Sequence, residues 1–324
     1  MKNWWVYNGK ETDKCEKTLQ DIQNTKPEWR KVDDNETDGS KVAETFDILD
    51  NEELLDAVNS AIYLRRPLLV TGEPGIGKST LAKSIAKELT DSKPLHWQIT
   101  SKSVVQDALY SYDAMSRLQD IQMKKNYYEL EQKEKADNID TNIGNYIKLG
   151  AIGEAFLSKE PKVVLIDEID KSDIDLPNDL LHIFEEQEFV IDEIKRNKEG
   201  GIKIDGYTIP DDGIVKCQED FPIIVMTSNG EKDFPPAFLR RCISVDIKLP
   251  DDRAKHIEAL TKMVKSHFKD EDNSEIQELI EQFVDLKEDG NILSNDQLLN
   301  AVFILLNGEQ DRDTIAKTLF KNLG

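Results

Sequence analysis

Apolar positions along the chain follow two regimes. Leu54, Leu55, Val58 and Ile62 recur at helix-face spacing and predict a helix ended by Pro67. Short unbroken apolar runs follow: LLVT at 68–71, LHWQIT at 95–100, KVVLID at 162–167, PIIVMT at 222–227 and a strand-like run at 243–249. Helical patterns follow the first run (Leu81, Ile85, Leu89) and the third (Leu176, Leu180, Phe184). Residues 189–194 and 214–217 are expected as hairpin strands around a charged, Gly-rich segment. Beyond Pro250 only amphipathic helices are predicted, at 252–268, 274–287, 295–307 and 311–322. Strands alternating with helices, then helices alone, predict an α/β domain with a parallel sheet followed by a small all-helical domain.

Two stretches stand apart. Residues 1–46 are polar yet hold Trp4, Trp5 and Trp29, three of the four tryptophans. That much aromatic surface docks onto something, either the chain's own core, a second subunit or a partner. Residues 101–150 carry five of the eight tyrosines in a polar, mostly helical composition. Tyr110, Tyr112, Tyr127 and Tyr128 read either as packing residues or as a substrate-gripping set.

Composition narrows the function classes. The 324 residues carry 42 Lys and Arg against 64 Asp and Glu, a formal net charge of −22. A summed field of that sign repels a phosphate backbone, so nucleic acid is an unexpected partner. No apolar run of about 18 residues spans a membrane, and the first residues show no secretory pattern. Three scattered cysteines (Cys15, Cys217, Cys242) suit a reducing, cytoplasmic compartment. The four histidines lack metal-ligand spacing, and no zinc site is expected.

The strongest chemical signal is Gly72-Glu73-Pro74-Gly75-Ile76-Gly77-Lys78-Ser79, followed by Thr80. It fits G-x-x-x-x-G-K-[ST] between a predicted strand and a predicted helix. The glycines let backbone N–H groups wrap a polyphosphate, and the helix N-terminus adds positive potential. Lys78 reaches β- and γ-phosphates, and the Ser79 hydroxyl ligates Mg²⁺. The run 163–168 ends in Asp167 and Glu168. Asp167 fits the Mg²⁺ hydration shell, and Glu168 is placed to polarise an attacking water. Asn229 closes a further apolar strand, placed to hold that water or to touch the γ-phosphate. The doublet Arg240-Arg241 precedes the last strand in a chain with nine arginines. A guanidinium fork suits transition-state charge on a phosphoryl group and is often supplied by a neighbouring subunit.

Together GEPGIGKST, VVLIDEID, VMTSNG and PPAFLRRC resemble the Walker A, Walker B, sensor 1 and arginine-finger elements of AAA+ ATPases. The wording PLLVTGEPGIGKSTLA, LIDEIDKSDIDLPNDLL and TSNGEKDFPPAFLRRCI is similar to the MoxR-like group. The resemblance implies a P-loop AAA+ three-layer sandwich with a parallel sheet at 47–250 and a helical lid at 251–324. It also implies a helical insertion near 101–150, a hairpin region near 189–217, and adenine as the base. The arginine just before the next strand is the finger in related proteins, which makes Arg241 the first choice and Arg240 the second. Where a basic sensor 2 residue is expected the chain reads Ile292-Leu293-Ser294-Asn295-Asp296-Gln297, with Lys287 and Arg312 as remote substitutes.

The leading expectation is Mg²⁺-dependent ATP hydrolysis by a homo-oligomeric ring, a hexamer by resemblance, that remodels a partner protein. Resemblance gives that partner a von Willebrand factor A domain, and WWVYNGK and PEWRKV resemble members from bacterial conflict gene clusters. The alternatives are a nucleotide-dependent switch with negligible turnover and a nucleic-acid motor.

Overall fold

A computed structural model describes residues 52–197, 201–218, 221–248, 252–268, 273–307 and 312–322. The tryptophan-bearing stretch 1–46, with Cys15, lies outside the described residues. In chain order the elements are α1 (Glu52–Leu64), β1 (Leu68–Gly72), α2 (Lys78–Thr90), β2 (Leu95–Gln98), α3 (Val105–Leu109), β3 (Tyr110–Tyr112), α4 (Ala114–Glu129) and α5 (Lys133–Asp137). Then come β4 (Ile147–Leu149), α6 (Ala151–Leu157), β5 (Val163–Asp167), α7 (Leu176–Glu186), β6 (Glu188–Val190), α8 (Asp192–Asn197), β7 (Lys203–Ile204) and β8 (Tyr207–Thr208). The last are β9 (Ile214–Lys216), β10 (Ile223–Ser228), α9 (Pro236–Leu239), β11 (Ile243–Ile247), α10 (Arg253–Phe268), α11 (Ser274–Glu288), α12 (Asn295–Asn307) and α13 (Arg312–Leu319). Contacts divide the chain into two units, one of 53–71 and 85–246, the other holding 72–84 and the residues from 247 onward.

The larger unit is built on a five-stranded sheet of order β11-β1-β10-β5-β2. β1 pairs with β10, β10 with β5 and β5 with β2, all parallel. The register sets Thr71 opposite Ser228, Met226 opposite Ile166 and Gln98 opposite Asp167, so the C-terminal ends of these strands share one edge. Central strands buried on both faces need unbroken apolar runs, which is what 163–166 and 224–226 supply. β2 lies at the rim and alternates, burying Trp97 between exposed His96 and Gln98. α1 ends at Leu64, where Arg65 turns left-handed (φ 52°) and the Arg66 N–H bonds the Ala61 carbonyl. Pro67 thus follows a stop already made.

Three short antiparallel pairs decorate this unit, the first joining β3 to β4. β6 pairs with β9, as the sequence predicts, but β6 stops at Val190 and 192–197 form α8. The period changes there: Phe189 and Ile191 alternate like a strand, whereas Ile191 and Ile194, both buried, sit one helical turn apart. Asp192 and Glu193 suit the first turn of that helix. β7 and β8 form a tight hairpin around Asp205 and Gly206, both at positive φ. In the tyrosine-rich stretch Tyr110 is buried against Phe189, its hydroxyl donating to Glu193 at 2.8 Å. Burial, then the Glu193 carboxylate, push that phenol up. Tyr110 therefore packs; Tyr128 is exposed on α4. Burial also pushes the Cys242 thiol up to about 12.

In the smaller unit α10 to α13 bury one apolar cluster, including Leu260, Leu279, Phe283, Leu298, Val302 and Ile315. The four predicted helices appear there within three residues of their expected ends. Among the described residues no helix is long and apolar enough to cross a membrane.

One glycine carries a packing prediction. A Cβ at Gly153 in α6 would stand 1.9 Å from the Leu109 carbonyl oxygen at the end of α3. Gly153→Ala should therefore lower unfolding stability by about 1–3 kcal/mol in urea denaturation, because overpacking outweighs alanine's helix preference. A stabilised variant would contradict this close approach.

Candidate active site

The phosphate-loop sequence lies in the smaller unit. Gly72, Gly75 and Gly77 all take positive φ, and a Cβ at Gly72 would come within 2.6 Å of the Ile247 carbonyl oxygen. Only glycine fits that combination of backbone and crowding. Lys78 opens α2 and is buried, its Nζ donating to the carbonyls of Gly72 at 2.7 Å and Glu73 at 2.8 Å. Glu73, Pro74 and Gly75 are exposed, Ile76 is buried, and Ser79 and Thr80 are half-buried on the first turn of α2.

The C-terminal helices touch this loop within the same unit. Asn295 is buried and donates to the Gly75 carbonyl at 3.3 Å. Lys287, only 12% exposed, pairs with Glu73 Oε2 at 2.5 Å. Arg312 instead pairs with Glu278 and Asp313. Of the two remote substitutes, then, Lys287 reaches the loop and Arg312 does not. Burial and the Lys287 charge hold the neighbouring His256 imidazole below its usual range.

In the larger unit the tips of β5 and β10 bring Asp167, Glu168 and Asn229 together. Thr227, 1% exposed, donates its hydroxyl to Asp167 Oδ1 at 2.5 Å and accepts the Glu168 N–H at 2.9 Å. Glu168 sits in left-handed backbone (φ 60°), unusual for a residue with a side chain and typical of functional sites. Its Oε2 receives Gln98 Nε2 at 2.6 Å and Lys171 Nζ at 2.7 Å. The Glu168 carboxylate raises the Lys171 pKa above the usual lysine range. Asp167 Oδ2 lies 3.4 Å from His96 Nε2. Asn229 is half-buried, and its N–H donates to Asp170 Oδ2 at 2.9 Å.

The arginine pair stands elsewhere. Ile243 N–H bonds the Pro67 carbonyl, and Thr71 Oγ1 reaches the Val245 carbonyl and Asp246, so β11 runs with β1. Arg240 and Arg241 precede β11 and lie at the sheet edge opposite Asp167 and Asn229. A five-residue strand separates those edges by about 17 Å. Arg241, 49% exposed, forms an ion pair with Glu185, and the exposed Arg240 lends its carbonyl to Arg66.

Residues 67–242 match the family described as AAA domain, dynein-related subfamily. The chain belongs to this AAA family. No curated protein matches the AAA chain at a significant level. Among solved structures it is similar to NtrX from Brucella abortus, at 13% identity and a TM-score of 0.44 over 81% of this chain. It spans 51% of that structure's chain. Membership supports nucleotide-dependent activity in this AAA protein.

Three residues escaped the sequence reading: Gln98, Thr227 and Asp170. Each is polar at or just beyond the end of an apolar strand, the position that already singled out Asp167 and Asn229. Within its own unit the Asp167 carboxylate offers oxygen donors of the kind Mg²⁺ takes. Thr227→Val should cost about 1–3 kcal/mol, because the Glu168 N–H loses its acceptor in a partly buried place. Thr227→Ser should retain most of that stability in the same urea titration; equal losses would assign the effect to the methyl group.

Proposed function

We propose that this chain hydrolyses ATP as a ring-forming, MoxR-like AAA+ ATPase and uses the cycle to remodel a partner protein. The observation that carries the reading is the separation of Arg241 from its own chain's Asp167, Glu168 and Asn229. A guanidinium that belongs to phosphoryl chemistry, yet stands a strand's length from its own carboxylates, serves the site of a second copy. The nucleotide-binding domain is taken as 47–250 and the lid as 251–324.

In this reading Gly72 to Thr80 wrap the phosphates, and Lys78 exchanges the loop carbonyls for phosphate oxygens. Ser79 and Asp167 would hold Mg²⁺, which would offset phosphate charge when bound. Glu168 takes the proton of the attacking water. Asn229 holds that water or the γ-phosphate, and the second copy's Arg241 stabilises the transition-state charge, with Arg240 as the alternative finger. The MoxR-like wording of the motifs supports a hexamer, a partner with a von Willebrand factor A domain and a cytoplasmic setting. The N-terminal WWVYNGK supports a place in bacterial defence.

A second reading, a switch with negligible turnover, draws support from Glu168. Gln98 and Lys171 both occupy its Oε2, so the base is held.

Glu168→Gln should bind ATP as the parent does while turnover falls about 10²-fold or more. Lys78→Ala should lose binding, read with a fluorescent ATP analogue. Loss of ATP binding in Glu168→Gln would remove the general-base assignment. A parent that binds ATP in Mg²⁺ without steady turnover would select the switch.

A further inference from the structure

The segment after β10 has an unusual way of satisfying its backbone. Its three successive N–H groups are aimed at side chains: Asn229 and Glu231 donate to Asp170 Oδ2 at 2.9 and 3.1 Å, and Gly230 donates to Ser228 Oγ at 3.0 Å. Asp170 is 1% exposed and lies in the turn Ile169–Lys171, directly after Glu168. Ile169 and Ser172 on either side are buried, so this turn is pinned in the core. Among the described residues Asp170 Oδ1 has no hydrogen-bond partner. A buried carboxylate oxygen with two backbone donors and an idle twin is an asymmetric arrangement. The oxygen in use is spent wholly on the segment that carries Asn229.

We infer that Asp170 is a positioning residue: it fixes Asn229 against Glu168 by clamping the backbone on either side of Gly230. Glu168 and Asp170 ride the same short turn, so the clamp sets the distance between base and amide directly. Gly230 at φ 76° would otherwise let the segment swing. Without this acceptor the two N–H groups would seek other partners and another geometry. The opposite tie runs from Thr227 on β10 to Glu168 and Asp167, and the two ties together register β5 and β10 at their tips.

This inference rests on the role proposed for Asn229, and the test keeps the two apart. Full-length parent, Asp170→Ala, Asp170→Asn, Asn229→Ala and the Asp170→Ala/Asn229→Ala double variant are compared. The readouts are kcat and KM for ATP and amide hydrogen exchange across 226–233. Asn229→Ala should lower kcat by about 10²-fold, and Asp170→Ala should approach that loss with KM changed less than about twofold. The double variant should be no more than about twofold worse than Asn229→Ala, because Asp170 acts only through that residue. Asp170→Asn should restore kcat to within about threefold, since the amide oxygen accepts the same two N–H groups and the NH₂ replaces an oxygen without a donor. Exchange of the Asn229 and Glu231 amides should rise about tenfold in Asp170→Ala while β10 amides keep their protection.

Multiplying losses in the double variant, or a kcat as low in Asp170→Asn as in Asp170→Ala, would overturn the inference. So would unchanged exchange at Asn229 and Glu231. Should Asp170→Ala fail to fold, Asp170→Asn decides: a loss beyond about tenfold refutes the clamp, because its hydrogen bonds remain available. A parent without turnover refutes the role of Asn229, and the exchange data then decide the clamp alone.

Discussion

The parallel pairing of β10 with β1 on one side and β5 on the other is the constraint on which the site depends. In a parallel sheet the strands share a direction, so whatever the sequence places after each apolar run arrives at the same edge. Two residue types that mean little alone, an acid pair and an amide, follow β5 and β10 respectively. Burial of the strands on both faces makes the alignment costly to break, because a register slip would strand apolar side chains and unpair the ladder. Ligand sites outside the carboxyl ends of such strands are the general rule for open α/β sheets.

Alignment alone leaves the tips free to splay, and the structure closes them with side chains. Thr227 crosses from β10 to the β5 tip, and Asp170 crosses back from the turn after β5 to the segment after β10. Each tie satisfies a backbone N–H that no strand neighbour provides for. Glu168 meanwhile takes a backbone conformation that side chains disfavour, held by the Thr227 hydroxyl on one side and the core-pinned turn on the other. Strain concentrated in the residue proposed as general base fits a geometry selected for chemistry.

Much of this was legible in the residues. Apolar runs marked the strands, and G-x-x-x-x-G-K-S marked the phosphate loop because its chemistry tolerates few alternatives. The C-terminal helices were readable because buried pairs recur one helical turn apart: Leu260 and Val264, Leu279 and Phe283, Leu298 and Val302. What stayed hidden depended on tertiary partners. Ile191 and Ile194 belong to strand and helix periods at once, and only the buried neighbours decide between them. Thr227, Gln98 and Asp170 are ordinary polar residues until a second strand arrives beside them. Lys287 lies in the last turn of α11, on the preceding helix rather than at the expected sensor position, yet the helix packing carries it to Glu73.

The arginine pair ties the fold to the proposed assembly. Because β11 runs with β1, Arg241 is delivered to the edge opposite the carboxylates, and its Glu185 ion pair keeps it exposed rather than folded inward. The direct test is subunit mixing. Arg241→Ala and Glu168→Gln are each made inactive, then combined at varied ratios with Mg²⁺-ATP. If a second copy's Arg241 completes each site, the mixture regains turnover, because an intact Glu168 from one variant meets an intact Arg241 from the other. A mixture as inactive as its parts, under conditions where the two variants co-assemble, would contradict a site shared between copies.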